Sequence, residues 1–142
     1  MSQGKFTGAI GAIIQNTNTG KILLLKRSPN KDYLPNMWEE VTGRMNQFED
    51  PESAARREVL EETGISDIEI VKPIAVRHYF RGEEVAENEA ILIVYWCKTT
   101  TEEVIISEEA SEYKWLTIEE AISLADHPAV KEELEIFHQE LK

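Results

Sequence analysis

The chain has 142 residues, of which 42% are hydrophobic and 30% are charged, and its net charge is −12 at pH 7. This length predicts a single domain over residues 1–142 with a buried core. The negative charge argues against binding to nucleic acid or to anionic membranes, because both would be repelled. The lone Cys97 excludes an intramolecular disulfide, and its apolar neighbours predict a buried, unreactive thiol. No signal-like segment opens the chain, so we expect a cytoplasmic protein.

The first third of the chain predicts a hairpin and a polar loop. Residues 6–15 are rich in Ile, Ala and Gly and predict a strand, residues 16–20 form a turn cluster, and residues 21–27 predict a buried strand. A polar loop with two prolines covers residues 28–36 and leads to Trp38. Trp38 could stack on a flat ligand, but an aromatic residue beside a strand more often belongs to the core.

Residues 51–63 predict a helix with a concentrated acidic face. Asp50 is a good N-cap, Pro51 suits the first helical position, and Gly64 suits a left-handed C-terminal cap. Three glutamates at i, i+3 and i+4 share one face of this helix, namely Glu58, Glu61 and Glu62. Each like-charge pair at this spacing costs about 0.2–0.5 kcal/mol in an isolated helix. Divalent cations on this face would explain the cluster.

The neighbours of this acidic face complete the prediction for the helix. Only Arg57 is placed to reach Glu61 from one turn away. On the opposite side we expect Ala55, Val59 and Leu60 to pack against a sheet.

The second half of the chain predicts strands followed by helices. Residues 68–80 alternate with period two but are interrupted at Pro73, and residues 90–97 predict a central strand covered on both faces. A capping box predicts a short helix over residues 117–125. A last helix begins near Pro128, with one apolar stripe and charged residues on its other faces. The stripe consists of Val130, Leu134, Phe137 and Leu141.

The spacing of residues 43–65 resembles the complete Nudix box. That pattern is G, five residues, E, seven residues, R-E-U, one residue, E-E, one residue, G-U, where U is a bulky aliphatic residue. Gly43, Glu49 and the segment from Arg57 to Ile65 meet it at every constrained position. Thr42 departs from the second glycine that opens the box in many members. The resemblance implies an α/β fold, the Nudix α/β/α sandwich with a mixed central sheet, in which the loop before the box borders the substrate cleft.

The resemblance also implies a metal site and a hydrolytic reaction. It implies that Mg²⁺, or Mn²⁺ as a substitute, binds to oxygen atoms of Gly43, Glu58, Glu61 and Glu62. Arg57 would orient Glu61 or Glu49, and Glu49 would be an outer or occasional ligand. The general base would be a box glutamate or one from a later loop. For that loop residue we expect Glu109 or Glu112, with Glu108 and Glu89 as weaker choices.

The same resemblance implies hydrolysis of a pyrophosphate linkage in a nucleoside diphosphate derivative. We expect Arg27 and Arg44 to hold phosphates and Trp38 to contact the substrate, whereas His78 suits a core or cleft-edge position. The residues from Trp38 to Gly43 and those at 113–116 resemble the corresponding segments of the branch that hydrolyses dATP-like and dihydroneopterin triphosphates. We therefore expect a nucleoside triphosphate or a related organic triphosphate as substrate.

Other interpretations remain open from the sequence. The chain could hydrolyse dinucleoside polyphosphates, for which Tyr79 falls slightly short of the expected tyrosine position, or ADP-ribose. It could also be a nucleotide-sensing module without activity, or an isomerase of isopentenyl diphosphate that uses Cys97. The complete box argues against both of these, and the resemblance leaves a homodimer open.

Overall fold

The computed structural model describes residues 2–142 and contains seven strands and three α-helices. A short 3-10 turn over Ala86–Asn88 precedes the sixth strand. The strands are β1 (Thr7–Asn16), β2 (Ile22–Arg27), β3 (Trp38–Glu39), β4 (Val41–Arg44), β5 (Glu69–Phe80), β6 (Glu89–Thr99) and β7 (Ala110–Leu116). The helices are α1 (Pro51–Thr63), α2 (Ile118–Leu124) and α3 (Pro128–Glu140).

The strands form one mixed sheet. Its central order is β3-β2-β1-β6-β5, with β4 also paired to β1 and β7 also paired to β2. Strands β1 and β6 run parallel over ten residue pairs, while the other pairs are antiparallel. The predicted hairpin is confirmed as β1 and β2, and the apolar run at residues 90–97 is confirmed as part of the central strand β6.

The helices cover both faces of the sheet, which confirms the predicted α/β/α sandwich. Helix α1 buries Ala54, Ala55 and Val59 in a core that lies on one face. Helices α2 and α3 bury residues such as Ala121 and Phe137 in a second core on the other face. No helix within residues 2–142 is long and apolar enough to cross a membrane.

Two details of the predicted helix faces are wrong. Leu60 is 51% exposed, and Ala54 takes the buried position instead. Successive helical residues are rotated by about 100°, so Leu60 turns away from the face that Val59 buries. Leu141 is 39% exposed because it caps the C-terminus of α3, beyond the last helical turn.

The predicted interruption of the alternation at Pro73 is confirmed as an irregularity of register, although the strand itself does not end there. Strand β5 continues through this residue, with register irregularities on either side of it. Within the described residues β5 pairs only with β6 and lies at the edge of the sheet. Proline is tolerated at such a position because an edge strand does not need every backbone N–H for pairing.

Candidate active site

Helix α1 begins and ends as its sequence predicts. The Asp50 carboxylate accepts a hydrogen bond of 2.9 Å from the Ser53 backbone N–H, and Pro51 occupies the first turn. Gly64 adopts φ 77°, in the left-handed region, where it donates its N–H to the Leu60 carbonyl. These caps fix the phase and length of the helix, so Glu58, Glu61 and Glu62 project from one end of it in a defined order.

Arg57 connects this helix to the loop that precedes it. Its guanidinium lies 2.7 Å from Glu49, 2.8 Å from Glu58 and 3.2 Å from Glu61. It also donates a hydrogen bond of 2.9 Å to the Arg44 carbonyl. The hydrogen bonds from Arg57 lower the pKa of Glu49 to about 2, and the bond to Glu49 raises the pKa of Arg57 further above its ordinary value. One arginine thus holds three carboxylates and the backbone of the loop.

Gly43 lies directly beneath the Glu58 side chain. A Cβ atom at Gly43 would lie 2.2 Å from the Glu58 Cδ atom, closer than any real carbon contact. Any side chain at this position would therefore displace the Glu58 carboxylate. The absence of a side chain at Gly43 lets the Glu58 carboxylate keep this position.

Glu62 is the most buried of the three helix carboxylates. It is 9% exposed, and its Oε2 atom has no hydrogen-bond partner. Burial, followed by the neighbouring Glu58 charge, raises the pKa of Glu62 to about 9. Two close carboxylates, one of them with an unpartnered buried oxygen, suit a divalent cation because hard cations prefer oxygen ligands. The donor set therefore fits Mg²⁺ or Mn²⁺.

The three helix carboxylates do not point at one common position in this structure. Within residues 2–142 no three acidic, histidine or cysteine side chains are grouped closely enough to hold one metal ion. Arg57 instead occupies an oxygen atom of Glu58 and an oxygen atom of Glu61. Coordination by all three would require these side chains to reorient.

The acidic end of α1 lines a cavity of about 640 Å³. This volume is typical of a pocket for a small molecule. The cavity brings together most of the predicted site residues, namely Arg27, Gly43, Arg44, Glu58, Glu61, Glu62 and Glu109. Arg57 lies behind the wall, where it holds the carboxylates.

The two predicted phosphate-binding arginines differ in their surroundings. The Arg27 guanidinium lies 2.9 Å from the Glu39 carboxylate and donates to the Tyr33 carbonyl, so its charge is largely compensated. Arg44 also lines the cavity, and in the described part of the chain its side chain has no ion-pair partner. Arg44 is therefore the freer of the two cations.

Trp38 does not line the cavity. It lies on β3, half-buried, and packs against the second core, while the Lys114 ammonium lies 5.3 Å from its ring centroid. Side chains alternate along a strand, and here Glu39 is on the cavity wall. Trp38 therefore occupies the core position that its sequence context also allowed, and not the predicted position against the substrate.

The later glutamates are separated by the fold. Glu109 lines the cavity and lies 3.1 Å from the Lys31 ammonium. Glu112 lies outside it, on β7, and pairs with Lys26 at 3.4 Å. Neither Glu108 nor Glu89 is on the cavity wall, and Glu89 lies 2.7 Å from His78, a residue at the edge of the cavity.

Several cavity residues were missed by the sequence reasoning. The buried Glu39, Glu40 and Glu133 line the wall. Of these residues, only Glu39 and Glu40 could have been suspected from the sequence, because two adjacent carboxylates between apolar segments are unusual. Glu133 gave none, since it lies in a helix whose charged residues suggest a solvated surface.

Comparison with known proteins identifies the family. The NUDIX domain model matches residues 5–139. The chain is 33% identical to a nucleoside triphosphatase NudI of Enterobacter sp. (strain 638), over 75% of this chain and 79% of that protein. It is 30% identical to the asymmetrical bis(5′-nucleosyl)-tetraphosphatase of Mus musculus, over 87% of this chain and 82% of that protein. The structure matches a MutT protein from Methanosarcina mazei Go1 with a TM-score of 0.81 at 28% identity, covering 100% and 99% of the two chains. The chain therefore belongs to the NUDIX domain family and is a hydrolase of that family.

Proposed function

We propose that this protein is a metal-dependent pyrophosphohydrolase that converts a nucleoside triphosphate, or a related organic triphosphate, to a monophosphate and pyrophosphate. The observation that carries the proposal is the acidic end of α1. It places Glu58, Glu61 and the partly unpartnered Glu62 at the wall of a cavity of about 640 Å³. The similarity to a protein named as a nucleoside triphosphatase supports this substrate class.

The residues of the box have separate roles in this proposal. Glu58, Glu61, Glu62 and the Gly43 carbonyl would hold Mg²⁺ or Mn²⁺. A divalent cation supplies phosphate charge neutralisation and water activation when it is bound. Arg57 acts as a positioning residue because it contacts the carboxylates and not the cavity.

A polyphosphate must enter a protein whose net charge is −12. In this proposal, positively charged side chains on the cavity wall offset the repulsion near the bound phosphates. Arg44 supplies an uncompensated cation on the cavity wall. Lys31 and Arg81 also line the cavity, but Glu109 and Asp32 pair with them at 3.1 Å and 2.9 Å. Arg27 contributes less, because Glu39 already neutralises it.

Among the loop glutamates, Glu109 is our choice for the general base because it lines the cavity. Glu112 offers a matched control, since it lies close in sequence and also pairs with a lysine. We expect Glu109→Gln to lower kcat by about 10²–10⁴-fold with little change in KM, as for a lost general base. Glu112→Gln should leave both constants unchanged. Equal kinetics of the two variants would remove Glu109 from this role.

A dinucleoside polyphosphate is the second candidate substrate. Tyr79 lines the cavity and is half-buried, so its ring is available to a second base. The similarity to a tetraphosphatase also favours this candidate. The isomerase alternative is weaker, because Cys97 is fully buried and burial raises the pKa of its thiol to about 12.

The test is a turnover panel with Mg²⁺ and then Mn²⁺, with products identified by chromatography. The panel contains the common NTPs and dNTPs, dihydroneopterin triphosphate, diadenosine polyphosphates and ADP-ribose. Monophosphate plus pyrophosphate from a triphosphate would support the first candidate. Cleavage only of diadenosine polyphosphates would favour the second, and no turnover with either metal would favour a sensing module.

A further inference from the structure

One ion pair in the cavity joins a basic residue to the proposed general base. The Lys31 ammonium lies 3.1 Å from Oε2 of the Glu109 carboxylate, and both residues line the cavity. Among the described residues, neither side chain has another ion-pair partner. An ammonium at this distance competes with a water molecule for the acceptor oxygen, because both would donate a hydrogen bond to it. Glu109 is therefore partly blocked while the pair persists.

The backbones of the two residues are fixed to each other. The Ser28 backbone N–H donates a hydrogen bond of 2.9 Å to the Glu109 carbonyl, and the Lys31 N–H donates one of 3.2 Å to the Ser28 carbonyl. The Ser28 hydroxyl oxygen also accepts a hydrogen bond of 3.3 Å from the Asn30 N–H. The fold therefore places this pair, and any exchange of partners falls to the side chains. The long, rotatable lysine side chain suits such an exchange.

The rest of the loop between β2 and β3 is also held in place. The Arg81 guanidinium lies 2.9 Å from the Asp32 carboxylate and 5.1 Å from the centroid of the Tyr33 ring. Arg27 donates a hydrogen bond of 3.1 Å to the Tyr33 carbonyl. Leu34 has φ 47°, in the left-handed region, which a leucine keeps only where its surroundings impose it. These contacts favour a movement of the Lys31 side chain over a movement of the whole loop.

The pair also lies next to the acidic end of α1. Lys31, Glu109 and Glu62 line one small recess beside the main cavity. Burial is the largest cause of the raised pKa of Glu62, and the charge of Glu109 raises it further. Arg27 lines the same recess, but Glu39 already pairs with it at 2.9 Å. The ion pair of Lys31 with Glu109 is partly exposed, so little free energy holds it together.

We propose that Lys31 exchanges the Glu109 carboxylate for a phosphate group of the substrate, and so frees Glu109 to act on water when a polyphosphate is bound. This inference rests on the proposed function, because it takes Glu109 as the general base and a polyphosphate as the substrate. A polyphosphate carries more negative charge than one carboxylate and offers the ammonium several acceptor oxygens. No covalent bond changes in the exchange, and Lys31 keeps its protons. Lys31 is thus a phosphate-binding residue that also controls the position of the base.

The first test measures the phosphate contact apart from turnover. Inorganic tripolyphosphate is titrated into the full chain by calorimetry, with Mg²⁺ present throughout. Lys31→Met should weaken binding by about tenfold or more, because a hydrogen bond between charged groups is lost. Lys31→Arg keeps the positive charge and should restore most of the affinity.

Lys26→Met is the matched control for this titration. Lys26 pairs with Glu112 at 3.4 Å, but neither residue lines the cavity. This variant should bind tripolyphosphate like the original protein. Equal affinity of Lys31→Met and Lys26→Met, or no binding of tripolyphosphate by the original protein, would overturn the proposal.

A second measurement follows the release of Glu109. The carboxyl-carbon NMR signal of Glu109 is assigned by its absence in Glu109→Gln. Saturating tripolyphosphate should displace this signal in the original protein, and much less in Lys31→Met, where no ammonium leaves the carboxylate. An unmoved signal in the original protein, or the same displacement in both proteins, would overturn the exchange.

Turnover gives an independent readout. Lys31→Met should raise KM for a hydrolysed triphosphate by about tenfold or more and change kcat little, because Glu109 is unblocked in this variant. A lower temperature of thermal unfolding with KM unchanged would show a purely structural role and overturn the proposal. Tripolyphosphate binding through Lys31 without turnover of any triphosphate would retain the exchange and reject the hydrolytic function. Turnover with KM unchanged in Lys31→Met would retain that function and reject the exchange.

Discussion

The two acidic regions of the cavity hold their carboxylates in different ways. At the α1 region, Arg57 contacts Glu49, Glu58 and Glu61, and the carboxylates come from one helix and its preceding loop. At the other region, Glu40 and Glu133 come from different elements and retain unpartnered oxygens. The first arrangement is maintained by local helix spacing and one arginine. The second exists only because α3 packs across the sheet.

In the α1 region the protein compensates most of the negative charge with Arg57. In the other region no cation of the described residues lies equally close to the carboxyl groups. Arg57 lowers the cost of a dense acidic face before any cation binds. Glu62 lies outside the reach of that arginine and keeps an unpartnered oxygen, as Glu40 and Glu133 do. A bound cation would therefore supply to Glu62 the compensation that Arg57 gives to Glu58 and Glu61.

The largest expected effect is loss of turnover when a carboxylate of the α1 region is replaced by a neutral amide. Glu61→Gln should lower kcat/KM by at least about 10²-fold, because loss of a metal ligand should exceed the 10–100-fold typical of an outer-shell partner. Far-ultraviolet circular dichroism should show an intact fold. Glu52→Gln, at an exposed position on the same helix, serves as control. Activity like that of the original protein in Glu61→Gln would refute the metal assignment.

A smaller loss is expected when Glu58 is displaced without a change in charge. Gly43→Ala places a methyl group against the Glu58 carboxylate and should lower kcat/KM by about 10²-fold or less, as for a misplaced catalytic group. Gly11→Ala is a suitable control, since its added carbon would lie 3.5 Å from its nearest neighbours, at ordinary contact distance. Calorimetric titration with Mn²⁺ should show weaker binding only for Gly43→Ala. Equal metal affinity in both variants would contradict the predicted role of Gly43.

Divalent metal should stabilise the folded protein by a moderate amount. At a concentration one hundred times its Kd, Mg²⁺ would add about 2.7 kcal/mol to the free energy of unfolding. Thermal unfolding with and without Mg²⁺ measures this gain. Glu62→Gln should reduce it, whereas Glu133→Gln should keep it because that carboxyl lies in the other region. A similar loss in both variants would mean that the two regions do not act separately.

The smallest expected effect concerns pH. The pKa of Glu40 is raised in the folded protein, so its contribution to stability is complete below its ordinary pKa and is lost as pH rises towards the folded value. Glu40→Gln removes this titration, so the stability of the variant should fall less as pH rises above the ordinary pKa of a glutamate. Urea unfolding at several pH values tests the difference in slope. The same slope as the original protein would contradict the pKa shift.

Asp67 provides the control of opposite sign. Its pKa is lowered by hydrogen bonds, first from Thr99 and also from neighbouring threonines. The stability that Asp67 contributes is present above its ordinary pKa and is lost as pH falls through the folded value. Asp67→Asn should therefore change only the acidic limb of the same urea series.

Much of the α1 region could be predicted because its information is local. Asp50, Pro51 and Gly64 define the ends of the helix, and the 3.6-residue repeat then assigns a shared face to the three glutamates. The errors at Leu60 and Leu141 concern exposure, which depends on what packs against each turn. A periodic pattern cannot decide which of two adjacent helical residues, such as Val59 and Leu60, is buried.

The position of Trp38 and of the later glutamates could not be obtained in this way. Glu109 and Glu112 are three residues apart, yet one lines the cavity and the other lies outside it. The pairing of β7 with β2 decides this difference. Such a pairing joins residues that are distant in sequence, and no local signal specifies its register.

The linear sequence was enough to assign the family, the order of the main strands and helices, and the acidic face of α1. These features depend on neighbours within a few residues, where capping and periodicity act. Which carboxylates share a cavity, and which find a partner, depends on how distant segments of the chain pack. Burial of Glu40 against α3, and of Glu133 against the sheet, arises when distant segments pack together. The cost of desolvating a charge exists only after that packing, so it cannot be seen in the linear chain.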